Sequence, residues 1–264
     1  LVDSATPAAL RAGLDLDRAA ALSERGEVAS RKAALGALSD AMTCLEAAGD
    51  ALGAARLLND QAAIWAAVGD PARAGALLRQ SWRVFARLDH PDADAERAET
   101  EHLLARLVLH SPPRSSRLEA ALKRALQHAS DARRTQERLG NLREVARLDE
   151  TTGRLRLAQG EGPGAREALQ SAIDTQRRIG DLSGLARSMD GMAEALLAAG
   201  RADEALAMLE SSIRLNTSRG AVAGLQANRA AFEALAGAEG AGRVAALLAE
   251  GEAMLGSTGP VGVQ

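Results

Sequence analysis

The sequence is poor in aromatic side chains and in cysteine. Among 264 residues there are two Phe, two Trp and no Tyr. Because proteins that read single-stranded nucleic acid commonly stack its bases on aromatic rings, this scarcity argues against that class. A lone cysteine, Cys44, excludes an internal disulfide and fits a reducing compartment. We therefore expect a cytoplasmic protein.

Long apolar runs and an excess of charge are also missing. No run approaches the roughly 20 apolar residues that span a bilayer, and the N-terminus lacks the pattern of a signal peptide. The net charge of -3 creates no strong field toward nucleic acid or membrane, so we expect no membrane partner. The chain begins with Leu1 rather than Met, from which we expect a piece of a longer protein.

Alanine is abundant, with 60 residues. It is the best helix former, it has no preference for strands, and its small side chain allows helices to approach closely. The composition therefore predicts an all-α protein with close helix–helix contacts.

Glycines recur every 40 residues in two interleaved sets, and the segments between them have helical periodicity. The sets are Gly140, Gly180 and Gly220, and Gly160, Gly200 and Gly240. Apolar residues such as Met189, Met192 and Leu196 follow the three-and-four spacing of an amphipathic helix. A period of this length predicts a stacked array whose unit is helix, tight turn, helix, turn.

Local signals place the helix ends at these turns. Gly200 can enter the left-handed conformation that ends a helix. In "VGDPARA", Asp70 can cap the next helix and Pro71 can occupy its first position. Ala205 follows one such turn, and its methyl group would let the two antiparallel helices touch.

This spacing resembles the tetratricopeptide repeat, in which three small residues and several larger apolar residues hold fixed positions in each unit. Three units match in their small residues: Ala62, Ala74 and Ser81; Gly153, Ala165 and Ala172; Ala193, Ala205 and Ser212. The resemblance covers roughly residues 51–255. It implies a right-handed superhelical solenoid of about six antiparallel helix pairs.

In that frame we expect one repeat domain over residues 1–256, followed by a loose tail at 257–264. Residues 1–50 form a divergent first pair, 51–220 the core repeats and 221–256 a C-terminal capping pair. The predicted helices span 7–25, 27–48, 51–68, 71–88, 92–110, 114–139, 141–159, 163–179, 181–199, 202–219, 221–237 and 240–256.

Several residues depart from the repeat pattern. Asp149, Thr152 and Arg156 stand where apolar side chains are expected, so the pattern explains the first helix of that unit poorly. Glu233 and Glu252 stand where small residues are expected. A carboxylate at Glu252 suits a terminal unit whose outer face is wet.

Signatures of catalysis, cofactor binding and metal binding are incomplete. The turn "QGEGPGARE" has neither the Lys of a P-loop nor a preceding strand, which favours a plain inter-helix turn. Glu99 and His102 have the spacing of a di-iron ligand pair, but no second pair accompanies them. No nucleophile, base and orienting group come together. We therefore expect no catalysis, cofactor or metal.

The resemblance implies that the first helix of each pair lines a concave, partner-binding groove. The third pair contributes by helical spacing, and the other positions are carried over from the repeat. These residues are Arg56, Asn59, Glu99, His102, Arg106, Arg147, Glu150, Arg154, Arg187, Asp190 and Glu194. Such a groove is rich in arginine, which can grip carboxylates or phosphates in bidentate fashion. We expect a protein or peptide partner, with acidic partners favoured.

A basic stretch between Arg114 and Arg147 carries nine Lys or Arg and four acids, an excess of +5. It is either a solvated helix face or a surface for an acidic partner or nucleic acid.

Two functions fit these features. The first is a non-catalytic scaffold that binds a protein or peptide in the groove. The second is the sensory or regulatory arm of a larger bacterial transcriptional regulator or signalling ATPase. "RIGDLSGLA" (178–186) is similar to turns in such arms, and the ratio of 30 Arg to two Lys is typical of a GC-rich bacterial genome.

Overall fold

The computed structural model describes residues 28–233 and 241–256, and in these ranges every regular element is an α-helix. The helices are α1 (Val28–Ala48), α2 (Ala51–Ala67), α3 (Pro71–Phe85), α4 (Ala93–His110), α5 (Ser115–Arg138), α6 (Leu142–Ala158), α7 (Gly162–Ile179), α8 (Leu182–Ala198), α9 (Ala202–Ser218), α10 (Val222–Glu233) and α11 (Ala241–Gly256). The predicted all-α fold is confirmed, and predicted helix ends agree within three residues wherever the structure describes them. The predicted helix at 7–25, the end of the helix at 221–237 and the tail at 257–264 lie outside the described residues.

The α-carbons form two compact units, Leu1–Thr135 and Gln136–Gln264. In the first unit, α2 packs against α1 and α3, and α3 packs against α4. In the second, α6 to α10 pack in chain order, and α11 packs on α9 and α10. Alternate helices also touch: α2 contacts α4, α6 contacts α8, and α8 contacts α10. Contact between neighbours and next neighbours is typical of stacked helical repeats. The assignment of residues 1–256 to one repeat domain stays a prediction.

Seven of the described helix ends share one tight turn, in which a left-handed glycine and one further residue separate two helices. The glycines, with φ between 67° and 86°, are Gly49, Gly69, Gly140, Gly160, Gly180, Gly200 and Gly220. The residue after each glycine donates its N–H to a carbonyl five residues back, as Arg201 does to Leu196 at 2.9 Å. At Asp70 the same residue also caps the next helix, accepting from the Arg73 N–H at 3.0 Å. The predicted helix stop at Gly200 and cap at Asp70 are confirmed.

Small residues lie at the helix seams, as the repeat pattern predicts. Ala205 and Ser212 are completely buried. The Ser212 hydroxyl donates to the carbonyl of Ala186 at 3.2 Å. At the matching position of an earlier repeat, the Ser81 hydroxyl donates to the carbonyl of Ala55 at 2.8 Å. This repeated hydrogen bond joins the second helix of a pair to the first.

Leu169 of α7 packs against two glycines on neighbouring helices. A Cβ at Gly153 of α6 would lie 2.5 Å from Leu169 Cγ. A Cβ at Gly191 of α8 would lie 2.9 Å from Leu169 Cδ2 and 3.6 Å from Arg154 Nε. Leu169 is itself fully buried. Both helices therefore approach this one side chain more closely than a methyl group would permit.

The polar departures in α6 have partners in the structure. Leu148 and Leu155 supply the buried apolar surface of this helix. Asp149 accepts a hydrogen bond from the Ser171 hydroxyl at 2.7 Å. Arg156 Nη1 donates to the carbonyl of Gly164 at 3.1 Å. Hydrogen bonds to α7 thus replace apolar contacts at Asp149 and Arg156.

The two glutamates near the C-terminus differ. Glu252 of α11 accepts a hydrogen bond from Arg229 Nε of α10 at 2.7 Å, whereas Glu233 is exposed. The capping role of residues 221–256 stays a prediction. None of the described helices is long and apolar enough to cross a membrane.

Replacing Gly200 by Ala should destabilise the protein by about 1–2 kcal/mol, because an L-residue disfavours the left-handed conformation. A Cβ there meets no atom within 4 Å, so the cost comes from the backbone alone. Urea unfolding followed by circular dichroism measures it. Gly242→Ala is the control, since that site is equally open and has no positive φ. Equal stabilities of the two variants would contradict the strained-turn account.

Replacing Ala205 by Leu should cost about 1–3 kcal/mol through overpacking of the α8–α9 seam. The matched control is Ala207→Leu, an exposed position on the same helix. Thermal unfolding of both variants tests this. An Ala205→Leu variant as stable as the Ala207→Leu variant would show that the seam tolerates bulk.

Candidate functional site

All eleven predicted groove residues lie on α2, α4, α6 and α8, the first helices of successive pairs. Arg56, Asn59, Glu99, His102 and Arg106 belong to the first unit, and the other six belong to the second. The two groups are therefore described separately.

In the first unit, polar groove residues tie α2 to α4. Arg56 Nε donates to Glu96 Oε1 at 2.7 Å. The buried Asn59 amide donates from Nδ2 to Thr100 Oγ1 at 2.9 Å. Two predicted contact residues thus already serve the packing of this unit.

The residues predicted from α4 differ in exposure. His102 is 1% exposed, and its Nδ1 lies 3.9 Å from Glu99 Oε2. Glu99 and Arg106 are half-buried. His102 is therefore a core side chain in this structure.

In the second unit, Glu150 lies between two arginines of the groove. Its carboxylate is 3.6 Å from Arg154 Nε and 3.4 Å from Arg187 Nε. Arg154 also donates from Nη2 to the carbonyl of Arg187 at 3.0 Å, and its Nη1 is 3.8 Å from Glu194. These contacts bring four predicted residues of α6 and α8 together.

The arginines of this groove are consequently compensated within it. Arg147 donates from Nη1 to Glu144 Oε2 at 2.6 Å on its own helix. The six predicted residues carry three arginines against three carboxylates, so their formal charges sum to zero. Residue type alone predicts an arginine-rich surface, but the structure shows a mixed one.

A pocket of about 500 Å³ opens between α6, α8 and α10. Its lining combines four predicted groove residues with small apolar side chains. The lining residues are Arg154, Arg187, Asp190, Ala193, Glu194, Leu197, Ala227, Ala230 and Ala231. The space exists because α10 presents alanines to it rather than larger side chains. Residues of α10 are absent from the prediction because the sequence pattern assigns that helix to a cap.

Asp190 joins the pocket to a buried polar network. It is 6% exposed, and Asn228 Nδ2 of α10 donates to its Oδ1 at 2.7 Å. Asn228 also donates to the Ser212 hydroxyl at 2.9 Å and accepts from Asn216 Nδ2 at 2.9 Å. The network therefore links α8, α9 and α10 behind the pocket wall.

Burial raises the pKa of Asp190 to about 6. Hydrogen bonds from Ser212 and Asn228 and the charge of Arg154 act against this rise, while the charge of Glu194 adds to it. Loss of hydration thus outweighs the favourable partners of this carboxylate.

The sequence carries a signal for part of this network. Gln136, Gln176 and Asn216 recur 40 residues apart, and all three are buried. An amide repeated at the period of the glycines indicates a buried polar position. Asn228 has no such periodic signal.

Comparisons with known proteins bear on the repeat region and on the fold. Residues 144–218 match the family model of the tetratricopeptide repeat. No curated protein matches the chain in sequence.

Among solved structures, aspartyl phosphate phosphatase F from Bacillus subtilis superposes with a TM-score of 0.71 at 15% identity, over 95% of this chain. The chain spans 61% of the length of that phosphatase. A tetratricopeptide repeat protein from Thermus thermophilus gives 0.57 at 20% identity, over 85% of this chain and 98% of that one.

A signal transduction ATPase with numerous domains from Pyrococcus horikoshii, which has a tetratricopeptide repeat sensor, gives 0.65 at 13% identity. The alignment covers 92% of this chain and 38% of that one. At these identities the solved structures show a shared fold.

Replacing Asp190 by Asn should remove a pH-dependent component of stability. Because the folded pKa of about 6 exceeds the ordinary value of 3.8, the folded state binds this proton more tightly than the unfolded state. Its stabilising contribution is complete below about pH 3.8 and is lost as pH rises through about 6. The wild type should therefore lose up to about 3 kcal/mol relative to the variant between pH 4 and 7.

Urea unfolding of both proteins at half-unit pH steps measures this difference. Asp203→Asn, which alters an exposed carboxylate on α9, is the matched control. A difference between wild type and Asp190→Asn that stays constant over this range would contradict proton linkage at Asp190.

Proposed function

The chain is a tetratricopeptide repeat protein, with its repeats matched at residues 144–218, and we propose that it is a non-catalytic scaffold that binds a protein or peptide. Binding takes place on the face formed by α6, α8 and α10. The observation that carries this proposal is the pocket on that face, where charged side chains surround an open apolar floor. Pockets of this kind, mostly apolar with a few oriented polar groups, are common ligand sites.

The exposed side chains on this face are the ones a partner would meet first. The side chain of Arg187 is 49% exposed and that of Glu194 is 47% exposed. Glu150, by contrast, is 11% exposed and holds both arginines in place. An acidic partner, which the arginines favour by type, would compete with Glu150 for them. The partner therefore meets a surface of both signs rather than a basic one.

The proposal is tested by charge reversal on this face. Affinity chromatography with mass spectrometry identifies a partner, and calorimetry then measures its Kd. Changing Arg147, Arg154 and Arg187 to Glu should weaken binding at least about tenfold, or about 1.4 kcal/mol, because it places like charges around Glu150. Arg187→Glu alone changes the most exposed of the three and guards against misfolding.

The matched control reverses Arg166, Arg177 and Arg214, which lie on the second helices α7 and α9. Circular dichroism checks that every variant keeps its helicity. A Kd that is unchanged in both the triple and the Arg187→Glu variants would retire this face as the binding site.

A second candidate is the sensory or regulatory arm of a larger bacterial regulator or signalling ATPase. The likeness to the repeat-bearing signal transduction ATPase, over 92% of this chain, favours it. Sequencing the surrounding coding region tests it. An open reading frame that continues into a nucleotide-binding P-loop would support this role, whereas a start and a stop codon bounding residues 1–264 would count against it.

A further inference from the structure

We propose that the pocket between α6, α8 and α10 is a subsite for a lysine side chain of the partner. This inference rests on the proposed function, since it names the chemistry that the same face recognises. It follows from the balance of charge at the pocket, from the arrangement of two carboxylates on α8 and from the alanine floor.

The charge around the pocket favours a cation. Arg154 and Arg187 line it, but both lie within ion-pair distance of Glu150. Counting Glu150, Asp190 and Glu194 against the two arginines gives three negative charges and two positive, a formal sum of -1. One ammonium group would neutralise this sum. A carboxylate ligand would raise it to -2 and would compete with Glu150 for the arginines.

Two carboxylates on α8 face the same space. Asp190 and Glu194 are four residues apart, so they lie on one face of the helix. Asn228 holds Asp190 from the far side through its 2.7 Å hydrogen bond. A compact ammonium with three donors can approach two separate carboxylates, whereas a planar guanidinium is suited to one bidentate partner. This arrangement favours lysine over arginine.

The remaining surface suits the methylene stem of lysine. Ala193, Leu197, Ala227 and Ala231 form an apolar floor beside the carboxylates. Lysine commonly lays its aliphatic stem along apolar surface while its charged end stays with polar groups. A shorter cation would leave this floor uncovered, and an uncharged aliphatic chain would leave the carboxylates without a partner.

The test is an NMR titration of the full chain, observing alanine methyl and backbone amide signals. The probes are lysine, norleucine and glutamate, each acetylated at the N-terminus and methylamidated at the C-terminus. The lysine probe should shift the methyl signals of Ala227 and Ala231 in a saturable way. Norleucine has the same stem without the charge, and it should bind about fivefold more weakly through loss of one ion pair.

Variants locate the charge that matters. Glu194→Gln, at an exposed position, should weaken lysine binding without disturbing the fold, and Asp190→Asn should weaken it as well. Glu204→Gln, on α9 outside the pocket lining, is the matched control and should leave it unchanged. An equal affinity for lysine in wild type and Glu194→Gln would overturn the subsite.

The other probes give the contrary outcomes. Stronger shifts with glutamate would make the pocket an anion site, equal shifts with norleucine would make it an apolar one, and no shift with lysine would leave no subsite. Each of these overturns the proposal. Failure of partner capture together with lysine binding in the pocket would instead count against the scaffold function alone. Partner binding that depends on Arg187 but not on Glu194 would keep the scaffold function and reject the lysine subsite.

Discussion

The turn with one residue between two helices constrains the rest of each unit. A left-handed glycine ends one helix, and the next residue both completes that ending and begins the following helix. So short a link forces consecutive helices to lie antiparallel and in contact. The residues at their seam must then be small, as Ala205 and Ser212 are. The 40-residue interval of the glycines is therefore a constraint on packing as well as on the helix ends.

Much of the fold could be predicted from the sequence because these turns use local chemistry. Gly200 and Asp70 act within a few residues of their own position, so their roles are visible in the sequence. The link between α4 and α5 lacks such a glycine, yet its two prolines still mark it. What could not be predicted depends on side chains from different helices. The placement of Glu150 between Arg154 and Arg187, and of Asn228 against Asp190, requires the tertiary packing of α6, α8 and α10.

The polar interior of the second unit links its packing to its exposed face. Asp190 reaches the pocket and is also held by Asn228, which in turn contacts Ser212 and Asn216. Ser212 additionally forms the hydrogen bond that joins α9 to α8. A change in the charge of Asp190 is thus felt by the helix that supplies the alanine wall. In this unit the binding face and the core share the same few polar atoms.

Leu169 gives the groove a spacer that no ligand would touch. Its side chain lies against Gly153 of α6 and Gly191 of α8, and Gly191 is next to both Asp190 and the Arg154 guanidinium. The separation of these two helices, and with it the width available between their facing charges, is set from behind by one aliphatic group. Related chains could therefore widen or narrow the mouth of this recess by changing a hidden leucine, while every residue at its surface stays the same.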